Sequence, residues 1–320
     1  MKNTAIAVVL IFSCCLFSQP CFAASTAIIG TGGKTGVYYP VGKAICAKVN
    51  LRTSRYGFRY KSKESYGSVS NIKAVLNGNI ELGLAQSDRH YEAYNGLTEW
   101  RSTGPQKDLR SVFSIYSEVI TLVASRKSNI QSLEGIKGKR VNIGHRGSGQ
   151  HRNSIDVLKS ANIGLAGIIA KQTKAVGNQK LLQNDKIDAF FYTVGHPNKM
   201  IKDISGKIDI SIIPITGPGI DSLIRKYPYY TRSQIPAYLY PFASHRGDIN
   251  SVGLKATLIT SRKVSNHVIY SLVKEMFEHL HEIKASHPAL KNLTKKEMLK
   301  GLSAPIHEGA LLYYREAGLI

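Results

Sequence analysis

Residues 28–40 read IIGTGGKTGVYYP, and Gly33-Lys34-Thr35 has the form of the end of a phosphate-binding loop. A Walker loop needs a glycine five residues before Gly33, and that position is Ile28. A dinucleotide fingerprint from Gly30 and Gly32 needs a third glycine where Thr35 stands. What remains is the physics beneath both motifs. A strand ends, glycines turn the chain, and a helix begins with unpaired N–H groups and the positive end of its dipole. Gly32, Gly33, Thr35 and Gly36 could therefore offer donors to a carboxylate. The arrangement recurs at residues 64–68 (ESYGS) and 145–150 (HRGSGQ), and Gln86-Ser87 ends a further strand. Together these turns predict a cleft lined by short donors, suited to a small anion. Tyr38, Tyr39, Tyr116 and Phe191 could wall it, with core packing the simpler role for Phe190 and Tyr39.

Other constellations are poor sites. His279 and His281 fall on different faces of one helix and make a weak metal pair. There is no H-E-x-x-H, no cysteine pair and no nucleophile elbow around Ser148. Asp88, Arg89 and His90 are neighbours in sequence, which does not make a triad. His196-Pro197 follows an apolar strand and would border the cleft or a hinge. No general base for the cleft stands out.

The elements that must position the turns alternate in type. Strands are expected at 26–31, 58–62, 82–86, 141–144 and 187–194, and helices at 39–50, 68–76, 87–94, 149–160, 175–184 and 219–227. This pattern predicts α/β architecture with a mostly parallel sheet. Long extended runs at 117–125 and 252–260 would link two lobes as crossover strands, and the helical C-terminal region would fold back onto the first lobe. The expected organisation is a leader at 1–23, lobe 1 from 24–118 and 261–320, and lobe 2 from 119–260, with the ligand cleft between the lobes.

The leader reading rests on Lys2, the apolar run at 4–17, Pro20 and the small-x-small ending Cys21-Phe22-Ala23. The run is shorter than the ~20 residues that span a bilayer. Cleavage after Ala23 would remove three of the four cysteines and leave Cys46, so the fold cannot depend on an internal disulfide. The chain has 43 Lys and Arg against 21 Asp and Glu, a net charge of +22. These cations are scattered, with no basic arm, zinc knuckle or RNA-binding aromatic signature. Together with export, this argues against nucleic acid and leaves a basic surface, an anionic membrane or an anionic small ligand.

The segments IIGTGGKTGVYYPVGKAI, ESYGSVSNIKAVLNGNIELGLAQSDRHYEAYNG, LEGIKGKRVNIGHRGSGQ, KIDAFFYTVGHPN, SLIRKYPYY, QIPAYLYP and HPALKNLT occur in this order along nearly the whole mature chain. In these segments the protein resembles the TAXI solute receptors, substrate-binding subunits of tripartite ATP-independent periplasmic (TRAP) transporters. The resemblance implies a type II two-lobed periplasmic binding protein, monomeric and without cofactor, metal or catalytic residues. It also implies capture of a small carboxylate, such as glutamate or 2-oxoglutarate, and delivery to a TRAP-type membrane permease. Carried over, the ligand contacts fall on Gly33, Thr35, Gly36, Val37, Tyr38, Ser65, Ser68, Gln86, Ser87 and Tyr116, and on Gly147, Ser148, Gly149, Gln150 and Phe191 in lobe 2. Tyr66 stands where a small residue is usual, and His145-Arg146 would add positive charge at the third turn. Two other functions fit the same turns: a stand-alone periplasmic sensor, and a secreted α/β enzyme acting on a carboxylate or phosphorylated substrate.

Overall fold

The computed structural model of the chain describes residues 25–245 and 247–320; the leader expected at 1–23 lies outside the described residues. Ten strands form one mixed sheet: β1 (Ser25–Gly30), β2 (Phe58–Lys63), β3 (Leu82–Gln86), β4 (Leu109–Ser125), β5 (Arg140–Asn142), β6 (Ile169–Lys171), β7 (Ala189–Val194), β8 (Ile210–Ile213), β9 (Thr231–Ile235) and β10 (Ile249–Ser261). Their order is β2-β1-β3-β10-β4-β7-β5-β6, with β8 on β4 and β9 on β10.

The order contains one motif twice. In one lobe β2, β1 and β3 run parallel and β10 lies antiparallel against β3. In the other, β6, β5 and β7 run parallel and β4 lies antiparallel against β7. The two long strands therefore each serve both lobes. They pair with one another from Val119↔Gly253 to Leu109↔Ser261, with irregularities between Ala256 and Thr257 and between Leu258 and Ile259. Extended runs of this length, apolar on both sides, cover both faces of a buried strand. All residues of β4 from Ser111 to Ser125 except Ser117 are buried.

Side chains alternate between separate cores. Phe190, Tyr192 and Val194 belong to a core that also holds Ile29, Ile45 and Leu258, while Ala189 and Phe191 belong to another with Ile120, Leu122 and Ile143. Each fully buried aliphatic side chain contributes about 1.5–3 kcal/mol of transfer free energy. Cys46 lies in the first of these cores, and burial pushes its thiol up to about 12. The C-terminal helices Asn266–Glu278 and Glu308–Glu316 pack on each other, and the former packs on the helix Tyr38–Asn50. Phe277 meets Phe113 at 5.9 Å between ring centroids, and the Tyr314 hydroxyl donates to the Val112 carbonyl at 2.7 Å.

Several short elements go beyond the sequence expectation: β6, β8, β9 and the helix Lys199–Ser205. Each is too brief to show a period of its own, and the strands are held by pairing to longer neighbours. The helical C-terminal region is interrupted at His279, where ψ is 28° and Asn266–Glu278 gives way to the short helix Leu280–Lys284.

Candidate functional site

The C-terminal ends of the parallel strands open on one cavity of about 280 Å³. Four helices begin there. Their N-cap residues are Val37, Gly67, Gln86 and Ser148, and all four line the cavity. At the first three no side chain caps the helix; at the fourth, Ser148 Oγ accepts from the His151 N–H at 3.3 Å. Unfilled N–H groups and positive dipole ends thus converge on the same space, an environment that favours negative charge. Local sequence explains the approach. Gly67 sits at φ 97°, a region open to glycine. A Cβ on Gly149 would overlap the Gln86 side-chain amide, so only glycine lets the helix starts meet across the cleft.

At the inner end stands Glu118, from the middle of β4 and 4 % exposed. Its Oε2 accepts from the Tyr38 hydroxyl at 3.0 Å, and the Gln86 and Tyr116 side chains lie against the same carboxyl. Among the described residues no Lys or Arg pairs with it. Burial, above all, pushes Glu118 up to about 8, with Tyr38 opposing and Asp88 adding to the rise. Burial and the Glu118 carboxyl hold the Tyr38 hydroxyl protonated, so it stays a donor. Gln86 Oε1, Thr193 Oγ1 and the Tyr116 hydroxyl are buried without a hydrogen-bond partner. Tyr192 reaches the cavity from β7, and its hydroxyl lies 3.2 Å from Thr35 Oγ1.

At the outer end, Tyr66 lies beneath the Lys174 ammonium, 4.4 Å from the ring centroid, and beside His145 at 5.7 Å. The extra positive charge expected from His145-Arg146 is not delivered there. Desolvation pulls His145 down, toward the neutral form, and Arg146 turns outward to donate to Gln172 Oε1 at 3.1 Å. The cations that line the cavity are instead Lys34 and Lys174. Lys34 faces Glu64 at 4.0 Å, an exposed pair of small energetic weight.

The lobes touch around this space. The Ser70 N–H donates to the Gly147 carbonyl at 3.3 Å, and Asn198 Nδ2 donates to the Thr35 carbonyl at 3.0 Å. Deeper along the helix Ser87–Asn95, the fully buried Arg89 pairs with Asp88 (3.0 Å) and Glu92 (2.5 Å) in its own helix and with Asp156 (3.3 Å) of the helix Gly149–Ser160. Asn153 and Tyr230 complete this knot by donating to Asp88 at 2.5 and 3.3 Å. Asp88 and Arg89 therefore belong to a buried knot whose Arg89–Asp156 pair crosses between the lobes, and are no part of a triad. His196 is structural too, hydrogen-bonded to Thr121 and to the Tyr240 hydroxyl.

Of the contact residues expected from sequence, Gly33, Thr35, Gly36, Val37, Tyr38, Ser65, Ser68, Gln86, Ser148, Gly149 and Gln150 line the cavity. Four do not. Ser87 Oγ is occupied by the Lys255 N–H. Tyr116 lies behind the lining, edge-on to Tyr38 at 6.4 Å. Gly147 offers its carbonyl across the lobe contact. Phe191 points into the core on the face of β7 opposite to Tyr192, which is the side chain that reaches the cavity. Sequence reasoning missed Glu118, Tyr192, Thr193 and Lys174. Only Glu118 left a signal, as the one charged residue in the run VFSIYSEVITLVAS.

The chain matches the NMT1-like family over residues 29–318. It belongs to that family, a solute-binding protein type. Solved structures with this fold include a protein from Bordetella bronchiseptica RB50 (12 % identity, 92 % of this chain and 98 % of that one, TM-score 0.54). A protein from Xanthomonas citri bound to chloride ion is similar at 10 % identity over 91 % and 99 % of the two chains, TM-score 0.53. The alkanesulfonate-binding protein SsuA from Xanthomonas axonopodis pv. citri bound to MOPS aligns at 15 % identity over 83 % and 78 %, TM-score 0.50. At these identities the likeness is one of fold: two lobes on a shared pair of long strands, as this NMT1-like chain displays.

Proposed function

We propose that this NMT1-like protein is an exported periplasmic receptor that closes two lobes over a small organic anion. The cargo would be a dicarboxylate or an acidic amino acid, of the class of glutamate or 2-oxoglutarate, delivered by the monomer to a TRAP-type permease. One observation carries the reading: the N-caps of four helices, three from one half of the sheet and one from the other, line a single cavity between them. Backbone N–H groups from Gly33 to Tyr38, the hydroxyls of Thr35, Ser65, Ser68 and Ser148, and the amides of Gln86 and Gln150 would hold the ligand. The lobes would be residues 24–118 with 261–320, and 119–260. Ligand contacts to both would favour the closed form, with bending in β4 and β10 near Val119 and Gly253.

The test is calorimetric titration of the chain from Ala24, refolded once to remove carried-over ligand, with small carboxylates and ATP. Saturable one-site binding of a carboxylate recovered unchanged, and lost in Ser148→Trp, supports the receptor. Binding of none of them removes this cargo class. A second reading has one observation in its favour. Glu118 is the buried carboxyl that an enzyme using the same cleft would need as general base. Turnover of the bound carboxylate in the same titration would establish that reading in place of the first.

A further inference from the structure

The cavity has two chemical ends. Donors dominate one of them: the uncapped N-termini of the helices that start after Val37 and Gly67, and the Lys34 and Lys174 ammonium groups toward the mouth. Acceptors dominate the other. Glu118 lacks any cationic partner among the described residues, Gln86 Oε1 is buried and unpaired, and Thr193 Oγ1 is buried and unpaired. A buried carboxyl without a counter-charge is costly, and a buried amide oxygen without a donor adds to the cost. Among the described residues no cation balances the first and no donor meets the second. The Tyr38 hydroxyl donates to Oε2, and Glu118 lines the cavity.

Resting on the receptor reading above, we infer that Glu118 receives a primary ammonium group of the cargo, with Gln86 Oε1 and Thr193 Oγ1 accepting its remaining N–H bonds. The cargo is then an amino acid with an acidic or amide side chain, its carboxylate at the helix N-termini and its ammonium on β4. A plain or 2-oxo dicarboxylate would place no donor on these acceptors and would bring a second negative charge toward Glu118. A protonated Glu118 could donate to such a ligand but would still leave Gln86 Oε1 unmatched. The volume agrees: about 280 Å³ is roughly nine waters' worth of space, enough for a ligand of about ten non-hydrogen atoms.

The experiment compares each amino acid with its counterpart lacking the amine. L-glutamate, L-aspartate and L-glutamine are titrated beside glutarate, 2-oxoglutarate and succinate into the refolded mature chain, into Glu118→Gln and into Thr193→Val. One amino acid should bind at least ~100-fold more tightly than its amine-free counterpart, because the counterpart leaves buried acceptors unpaired. Glu118→Gln should erase most of that ratio by weakening the amino acid alone, and Thr193→Val should narrow it less. An amine-free dicarboxylate binding within tenfold of the amino acid overturns the inference and leaves the receptor standing. So does an amino acid that binds Glu118→Gln as tightly as the parent. Silence from all six probes overturns the cargo class and this inference together. If Glu118→Gln does not fold, the ratio in the parent protein and in Thr193→Val decides the question.

Discussion

The helix Ser87–Asn95 separates two buried charged regions that solve the same problem differently. On one side, Arg89 gathers Asp88, Glu92 and Asp156, and Arg152 reaches Asp156 at 3.2 Å from one turn earlier in the same helix. Two guanidinium groups there meet three carboxylates, and Asn153 and Tyr230 fill remaining acceptor positions. At the cleft floor, Gln86 adjoins a single carboxyl, Glu118, that no protein cation compensates. Both regions join the lobes. The knot is complete without ligand, whereas the floor leaves acceptors open. Removing charge should therefore act with opposite sign in the two places.

The largest effect is expected from Arg89→Met. It would leave Asp88 and Glu92 buried without a cation, with Arg152 still on Asp156, and breaking a buried pair in this way costs about 3–5 kcal/mol. Urea denaturation should show a lower midpoint; an unchanged midpoint would mean that the knot carries no weight. Glu118→Gln should do the reverse to the ligand-free protein. The Glu118 carboxyl rises from 4.5 to about 8 on folding, so the folded state binds the proton more tightly than the unfolded one. Stability then falls as pH climbs from 4.5 through 8, and the variant escapes that loss. Its advantage should grow across this window to on the order of 2–4 kcal/mol at pH 8. Thermal melts at pH 5 and 8 read it directly. The neighbouring Tyr38, Tyr116 and Tyr192 hydroxyls are all pushed upward by burial and do not titrate in that range. A variant less stable than the parent at pH 8 would contradict the uncompensated-charge account.

Gly149→Ala separates closure from folding. The added methyl meets the Gln86 amide only when the lobes are together, and alanine suits a helix better than glycine by about 0.5–1 kcal/mol. Ligand affinity should fall at least ~10-fold, an effect of about 1.4 kcal/mol, while the melting temperature holds or rises. A fall in both would place the glycine's role in folding. The smallest effect belongs to Asp156→Asn. Arg89 keeps two carboxylates, so the loss should be near 1 kcal/mol, in the range of one hydrogen bond, and visible as a several-fold weaker closure in scattering or titration.

Much of this site was legible before the fold. Gly67 and Gly149 stood at turns whose chemistry is local, and the helices that follow obey the same 3.6-residue period in any context. The long runs around Glu118 and Leu254 announced strands buried on both faces, and they became the pair shared by the two lobes. Phe191 shows where local reading ends. A strand alternates with period two, and a shift of one residue exchanges the cavity face for the core face. The largely apolar run AFFYTV carries little to set that phase; pairing with β4 and β5 sets it and brings Tyr192 to the cavity side.

By itself, then, the chain's order of turns, strands and helices determined the α/β class and the helix starts rich in short polar residues. These depend on backbone geometry over a few residues. The tertiary structure alone decided that Glu118 faces the cavity and that Arg89 is locked across the lobes by Asp156, 67 residues away. It also decided that burial pulls His145 toward its neutral form and that Lys174 stands over Tyr66. Those outcomes depend on which surfaces meet and what water they exclude, and neither burial nor a counter-charge is a property of one residue's neighbours in sequence.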